Sequence, residues 1–207
     1  MPPSKFPGPG AIIQSLTLAR QAAAAMTMSV ALHLVPLAGF AGLMATAAFE
    51  DLRRLVIPNR LVLGLCLLWP FHVAIAPMPS LATAGGAALC AAAIFAAGAL
   101  FFARGLIGGG DVKLLAAATL WAGPGATPAL LVATGLLGGL LSLLLLTPMG
   151  GLIAAARPTR PDPAGAAPPG AAVPGAALPG ATPVLVPYGV AIAAAALIVT
   201  IPPNFNG

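Results

Sequence analysis

Charged side chains are scarce in this sequence. Nine lysines and arginines and four acidic residues make up 6% of its 207 residues, whereas soluble domains carry about 25% charged residues. A soluble fold of this length would lack the polar side chains that cover a water-facing surface. In a lipid bilayer, apolar side chains can face the acyl chains instead. The shortage of charge therefore excludes an ordinary soluble domain and predicts an integral membrane protein.

Side chains that bind metals or nucleic acids are also few. Cys66 and Cys90 form no CxxC pair, and His33 and His72 stand far apart in the sequence. Zinc sites need clustered Cys and His ligands, so we expect neither a metal nor a cofactor. The basic residues lie beside apolar runs and are not interleaved with aromatic residues. We therefore expect no nucleic-acid partner.

Long uncharged runs dominate the chain. Residues 61–103 and 114–156 are two runs of 43 uncharged residues each. A transmembrane helix needs about 20 apolar residues, so each run can hold two helices and a turn. We predict an all-α polytopic membrane protein with about six transmembrane helices, at residues 28–49, 61–76, 81–103, 112–121, 128–147 and 184–201.

The fourth predicted helix is short. It must end near residues 123–125, Gly-Pro-Gly, because proline removes a backbone donor and glycine favours turns. Its ten or so residues rise about 15 Å, which is half of a typical hydrocarbon core. Asp111 at its start would then lie partly within membrane depth. In the fifth helix, Gly135 and Gly139 have a spacing that permits close helix contact.

The chain is predicted to form one membrane domain at residues 28–201. An irregular segment, 1–27, precedes it and a tail, 202–207, follows it. Residues 148–183 are rich in alanine, proline and glycine and are predicted to be a flexible loop. A cleaved signal peptide is an alternative for the first span, with a cleavage site at residues 45–47. That span is, however, longer than the roughly 7–15 apolar residues of a signal peptide.

The basic residues indicate the orientation of the spans. Three loops, each two spans apart, carry seven of the nine basic residues and are predicted to be cytoplasmic. These residues are Arg53, Arg54, Arg60, Arg104, Lys113, Arg157 and Arg160. Lys5 and Arg20 would lie on the opposite side, in conflict with this orientation.

Two of the four acidic residues, Asp51 and Asp111, are predicted to lie at span ends on the same face. A carboxylate at membrane depth is costly, so it indicates a functional site by default. Structural alternatives remain at this point. Asp51 could form an ion pair with Arg54, three residues further on. Asp111 could cap the helix that it begins.

A pair of carboxylates can hydrolyse peptide bonds. Two carboxyl groups held close together cannot both ionise freely, so one keeps a proton. The charged group can take a proton from water while the neutral one polarises a peptide carbonyl. Gly108, Gly109 and Gly110 lack side chains, so a substrate backbone could approach Asp111 closely. A plain flexible turn and a phosphate-binding loop are alternatives, although the second lacks its Gly-Lys-Ser/Thr ending.

Three segments carry a resemblance to a known family. Residues 51–59 read Asp-Leu-Arg-Arg-Leu-Val-Ile-Pro-Asn, residues 108–115 read Gly-Gly-Gly-Asp-Val-Lys-Leu-Leu, and residues 186–192 read Val-Pro-Tyr-Gly-Val-Ala-Ile. They resemble, in order, three motifs of the prepilin peptidases, also called type IV leader peptidases, which are membrane aspartic proteases of the GxGD class. Three motifs in order, each at a span boundary, make the resemblance specific. With the spans, it covers roughly residues 30–201.

The resemblance implies that Asp51 and Asp111 are the catalytic pair, without a metal or cofactor. It also implies that a second group of residues binds substrate or shapes the site. These residues are Gly108, Gly110, Lys113, Pro58, Asn59 and Tyr188. Two of them have alternative roles outside the site, since Lys113 could be a snorkelling membrane anchor and Tyr188 an aromatic residue at the membrane interface.

The implied reaction removes a short basic leader from type IV prepilins at the cytoplasmic face of the inner membrane. The partner would be the hydrophobic helix of the precursor, lying in the bilayer. Larger family members have paired CxxC motifs linked to N-methylation, which this sequence lacks. We therefore expect peptidase activity alone, as in the short enzymes that serve Flp-type pili. The alternatives are an archaeal-type preflagellin peptidase, a non-catalytic assembly subunit of a pilus or secretion system, and a small proton transporter.

Overall fold

The computed structural model describes residues 9–75, 81–147 and 186–201. All regular structure in this part of the chain is helical. The helices are α1 (Pro9–Arg54), α2 (Asn59–Ile75), α3 (Leu81–Ala103), α4 (Gly109–Leu145) and α5 (Tyr188–Thr200). The predicted loop at 148–183 and the predicted tail at 202–207 lie outside the described residues.

Three helical stretches are long and apolar enough to cross a membrane, namely Leu34–Arg54, Ala82–Ala103 and Gly109–Leu145. Helices α2 and α5 are also apolar but shorter, with 17 and 13 residues. Large apolar side chains cover much of the outside of the bundle, and Leu136 is 70% exposed. An apolar outer surface is what helices facing lipid require. The protein is therefore an all-α membrane protein, as predicted.

The N-terminal segment differs from the prediction. Residues 9–27 were expected to be irregular, but α1 begins at Pro9 and continues for 46 residues to Arg54. Proline is well tolerated at the first position of a helix, because its missing N–H has no partner there in any case. The residues that follow are rich in alanine and leucine, which favour helix. The helix is about 69 Å long, more than twice the hydrocarbon thickness.

A kink divides α4 into two helical halves at the predicted break. Gly123 has φ 69° and ψ 175°, a left-handed conformation that favours glycine, and Pro124 follows it. The prediction that a helix ends here is confirmed. The second half begins at once, without a connecting loop, so the described residues contain six helical segments in all. The first half, residues 109–122, rises about 21 Å and is shorter than a full span.

Small residues allow the helices to approach closely. Helix α3 packs along α4, α5 packs against α1 and α4, and α2 packs against α1 and α4. A Cβ atom at Gly98 of α3 would lie 2.6 Å from Cγ1 of Val112 in α4. Gly135 and Gly139 were expected to make such a contact, but a Cβ at either meets nothing within 4 Å. Their neighbour Gly138 makes the contact instead, because it lies on the face of α4 that meets α5.

A stack of aromatic rings fastens α1 and α2 to α4. The Trp121 ring lies 4.6 Å from the Phe40 ring and 4.9 Å from the His72 ring, measured between centroids. Its Nε1 also donates a hydrogen bond of 3.0 Å to the Leu65 carbonyl oxygen. Trp121 is 6% exposed. Because stacking, burial and a hydrogen bond coincide in one side chain, Trp121 holds three helices together.

We expect Trp121→Phe to lower the unfolding temperature of the detergent-solubilised protein. The variant loses the hydrogen bond to Leu65 and part of the buried ring, which together stabilise the fold by about 1–3 kcal/mol. The control is Leu136→Ala, which shortens a side chain on the outer surface. An unchanged unfolding temperature for Trp121→Phe would show that the aromatic stack contributes little.

Candidate functional site

The end of α1 carries Asp51 into the protein interior. Asp51 is 5% exposed, although it is an acidic residue in a helix of a membrane protein. Arg54 pairs with Glu50, Nε to Oε2 at 3.3 Å, and the Arg54 side chain is 71% exposed. Arg54 therefore has a carboxylate partner on the outside of the helix. The alternative in which Asp51 serves as the surface partner of Arg54 does not fit this geometry.

The chain leaves α1 through a strained turn. The Leu55 amide donates to the Asp51 carbonyl oxygen at 2.9 Å, and Leu55 has a left-handed backbone with φ 53°. This conformation costs a residue other than glycine about 1–3 kcal/mol. Two residues later, Ile57 enters the core and is 7% exposed. The turn thus places a large apolar side chain directly beside the segment that carries Asp51.

Asp111 lies in the first turn of α4. The residue that precedes the helix is Gly108, whose backbone is extended and which offers no side-chain cap. Asp111 is therefore not the capping residue itself, which corrects that alternative. The position still suits a carboxylate, since the N-terminus of a helix carries a partial positive charge. The side chain is partly buried.

The structure brings the two aspartates together. Asp51 and Asp111 line one cavity of about 190 Å³, the aspartate cavity, and their carboxyl groups are close enough to interact electrostatically. The other residues of its wall come from four parts of the chain, namely the turn after α1, the end of α3, the start of α4 and the residues before α5. They are Leu55, Val56, Ile57, Phe102, Gly108, Gly109, Gly110 and Val186. The cavity therefore contains two carboxyl groups in otherwise apolar surroundings.

Each carboxyl group packs against a glycine. A Cβ at Gly108 would lie 2.8 Å from Oδ2 of Asp111. A Cβ at Gly189 would lie 2.8 Å from Oδ2 and 2.9 Å from Cγ of Asp51. No side chain fits at either position without moving the carboxyl group. A side chain at position 108 or 189 would thus displace a carboxyl group from its observed position, in addition to any access that glycine gives to a substrate.

Ile57 joins three of these parts at the cavity, namely its own turn and the starts of α4 and α5. A Cβ at Gly110 would lie 3.2 Å from Cβ of Ile57, and a Cβ at Gly189 would lie 2.8 Å from its Cδ1. Ile57 thus contacts the first turn of α4 and the first turn of α5. Neither Ile57 nor Gly189 was selected from the sequence. The sequence feature that could have indicated them is their place in the motifs. Ile57 precedes Pro58 in the first motif, and Gly189 follows Tyr188 in the third.

The remaining predicted site residues lie outside the aspartate cavity. Lys113 Nζ donates a hydrogen bond of 3.1 Å to Oδ1 of Asn59, and both side chains are exposed. This bond connects the start of α2 to the start of α4. Pro58 precedes α2, and its carbonyl oxygen accepts from the Leu61 amide at 3.0 Å. The Lys113–Asn59 bond thus links the segment that follows Asp51 to the helix that carries Asp111.

Tyr188 begins α5 and packs on the second half of α4. A Cβ at Gly138 would lie 2.7 Å from Cε1 of Tyr188, so the ring packs directly against the backbone of α4. Tyr188 also lines a second cavity, which Asp111 shares. Within the part of the chain that the structure describes, no three His, Cys, Asp or Glu side chains are grouped as a metal site would need.

The decisive comparison is with protein families. A model of the type IV leader peptidase family matches residues 38–143, which include both aspartates and the glycines before Asp111. The chain belongs to the type IV leader peptidase family. No curated protein and no solved structure matches the chain significantly. The family is one of proteases, so membership supports a leader-peptidase-like function for this chain.

The family match ends before the last part of the site. Val186 and Gly189 lie beyond residue 143, yet Val186 lines the aspartate cavity and Gly189 contacts Asp51. The structure therefore adds α5 to a site whose other parts fall within the matched region.

We expect Gly138→Ala to displace the Tyr188 ring, because the new methyl group would overlap Cε1. The chain has a single tyrosine, so 3-fluorotyrosine labelling gives one ¹⁹F resonance from this site. The resonance should shift in Gly138→Ala. It should stay in place in Gly139→Ala, where the added methyl group meets nothing within 4 Å. Equal spectra for the two variants would contradict the packing of Tyr188 on Gly138.

Proposed function

We propose that this protein is an aspartic endopeptidase that cleaves the basic leader from type IV prepilins. The observation that carries the proposal is the pair of carboxyl groups, Asp51 and Asp111, in one small apolar cavity. They come from helices that are distant in sequence. A fold that needed only stability would have no reason to bring two acids together in such surroundings.

The proposed reaction is acid–base hydrolysis of a peptide bond. Two carboxyl groups in this proximity share one proton, because their like charges disfavour double ionisation. The ionised group takes a proton from a water molecule, and that water attacks the scissile carbonyl carbon. The protonated group donates to the carbonyl oxygen as negative charge develops on it. Collapse of the tetrahedral intermediate, with a proton delivered to the leaving nitrogen, releases both products.

We place this reaction at the cytoplasmic face of the inner membrane. The aspartate cavity lies where α1 ends and where α2, α4 and α5 begin. Exposed basic residues surround this end of the bundle, among them Arg53, Arg60 and Arg104. Basic residues next to transmembrane helices favour the cytoplasmic side. A precursor whose hydrophobic helix lies in the bilayer would present its leader at this level.

We propose Flp-type pilins as the substrates. The support is the resemblance of the sequence to the short enzymes that serve this class of pilus. The reaction proposed for this chain is peptide cleavage, because only the carboxyl pair has been assigned a chemical role.

Asp51→Asn and Asp111→Asn should each lower the processing of a coexpressed Flp-type prepilin at least about 100-fold, since each removes one partner of the acid–base pair. Processing is measured as the loss of the leader on gels and by mass spectrometry. Glu50→Gln is the matched control, because Glu50 neighbours Asp51 but pairs with Arg54 on the outside of α1. It should process normally.

The test separates the proposed enzyme from a non-catalytic assembly subunit. A subunit would cleave no precursor in any form and would still co-purify with pilus components. Continued cleavage by both aspartate variants would overturn the assignment of the catalytic pair.

Gly189→Ala should lower processing about tenfold or more, with the protein still inserted in the membrane. The added methyl group would lie 2.8 Å from Oδ2 of Asp51, so the carboxyl group must rotate away from the position it shares with Asp111. Gly139→Ala is the control of equal size, at an open position. Wild-type processing by Gly189→Ala would show that the contact between α5 and Asp51 does not position the site.

A further inference from the structure

The turn that ends α1 has a leucine at a position where glycine is common in proteins. The Leu55 amide donates to the carbonyl oxygen of Asp51, and Leu55 has φ 53°. A residue that ends a helix in this left-handed conformation is usually glycine, because a Cβ atom is strained there. The backbone conformation at position 55 therefore disfavours leucine, and the reason for its presence must lie in what its side chain contacts.

The end of α3 offers a comparison within the same protein. Gly105 also has a left-handed backbone there, with φ 72°, and its amide donates to the carbonyl oxygen of Phe102 at 2.9 Å. A Cβ at Gly105 would meet none of the described residues within 4 Å. Glycine thus stands at the helix end where a side chain would contact nothing. At the other helix end, the residue is Leu55, which lines the aspartate cavity.

The turn fixes where the Leu55 side chain lies relative to Asp51. Its amide is hydrogen-bonded to the Asp51 carbonyl oxygen, one helical turn earlier, at 2.9 Å. The residue is half-buried and forms part of the cavity wall. Val56, the next residue, also lines the cavity and is 49% exposed. This part of the wall therefore extends from the carboxyl groups to the protein surface, where a peptide can approach.

We infer that Leu55 is a substrate-contacting residue, whose side chain binds the peptide segment beside the scissile bond. This inference rests on the proposed function. A peptide bond held between Asp51 and Asp111 would lie in the cavity that Leu55 lines. Contact with the leucine side chain stabilises the bound segment, because both lose apolar surface to water. Glycine at this position would relieve the backbone strain but would leave that part of the wall open.

The first experiment separates the backbone strain from the side-chain contact. Leu55→Ala and Leu55→Gly both remove the contacts of the leucine side chain, but only alanine keeps a Cβ atom in the left-handed conformation. Leu55→Gly should therefore unfold about 2–4 °C above Leu55→Ala in detergent. Both variants should cleave a purified Flp-type prepilin with kcat/KM lowered about tenfold, mainly through a higher KM, because the lost contact is with bound substrate.

Two further variants complete this experiment. Leu52→Ala is the matched control, because Leu52 is 45% exposed and is not among the described residues that line the aspartate cavity. It should cleave as the wild type does. Leu55→Met keeps a long apolar side chain and should recover kcat/KM to within about threefold of the wild type. Wild-type kcat/KM in both Leu55→Ala and Leu55→Gly would overturn the inference. A lower kcat with unchanged KM and a shifted pH–rate profile would also overturn it, because Leu55 would then act through Asp51.

The second experiment does not depend on cleavage. Photoreactive p-benzoylphenylalanine replaces Leu55 in one protein and Leu52 in another. Each protein is irradiated in detergent with an excess of a synthetic prepilin peptide, and the crosslinked peptide residue is identified by mass spectrometry. We expect crosslinks from position 55 to residues next to the scissile bond, and none from position 52. Equal crosslinking from the two positions, or none from position 55, would overturn the inference.

The two experiments together distinguish a failure of this inference from a failure of the proposed function. Crosslinks from position 55 alone, without cleavage by the wild-type protein, would support the contact and overturn the proposed reaction. Cleavage by the wild type, with unchanged kcat/KM in Leu55→Ala and no crosslink from position 55, would overturn the inference and support the reaction.

Discussion

The close approach of α5 to the end of α1 is the contact on which the site depends. At Gly189 the backbone of α5 lies so near to Asp51 that a methyl group would overlap its carboxyl group, and Ile57 occupies the remaining space. The same Ile57 side chain contacts Gly110 in the first turn of α4. Three segments distant in the sequence thus meet around one isoleucine. The positions of the two aspartates relative to each other follow from this packing.

This arrangement lowers the stability of the bundle. Asp51 is 5% exposed in an otherwise apolar helix interior, and Leu55 beside it has a left-handed backbone. Both features are unfavourable by themselves. Elsewhere the interior is conventional, with alanines on α5 and a fully buried Phe40, Met44 and Leu114. The aromatic stack at Trp121 and the Lys113–Asn59 bond fasten the helices on either side of the strained region.

Much of the fold follows from patterns that a sequence displays directly. Uncharged runs predicted the helical segments, and the Gly-Pro pair at 123–124 predicted the break in α4, because both depend on local chemistry. The helix at residues 9–27 was missed. Four prolines in the first nine residues suggested irregular structure, but the last of them is compatible with the first turn of a helix.

Sequence patterns predicted only part of the site. Scarcity of charge identified Asp51 and Asp111, and the order of the spans predicted that they share a face. Gly189 and Ile57 could not be selected in this way, because their role depends on which residues from other segments pack against them. The predicted helix contact at Gly135 and Gly139 was wrong for the same reason. Their spacing allows close packing, but only the neighbouring Gly138 faces a helix.

The kink at Gly123 lies between two parts of α4 that both line the site. The half of α4 before it carries Asp111, and the half after it carries Leu131 and Gly135 in the wall of the second cavity, which Asp111 and Tyr188 also line. Any change in the backbone angles of this one residue alters the angle between the halves. It therefore changes the width of the cavity and the placement of the carboxyl group in a single movement. The conformation of Gly123 therefore links the shape of that cavity to the position of Asp111.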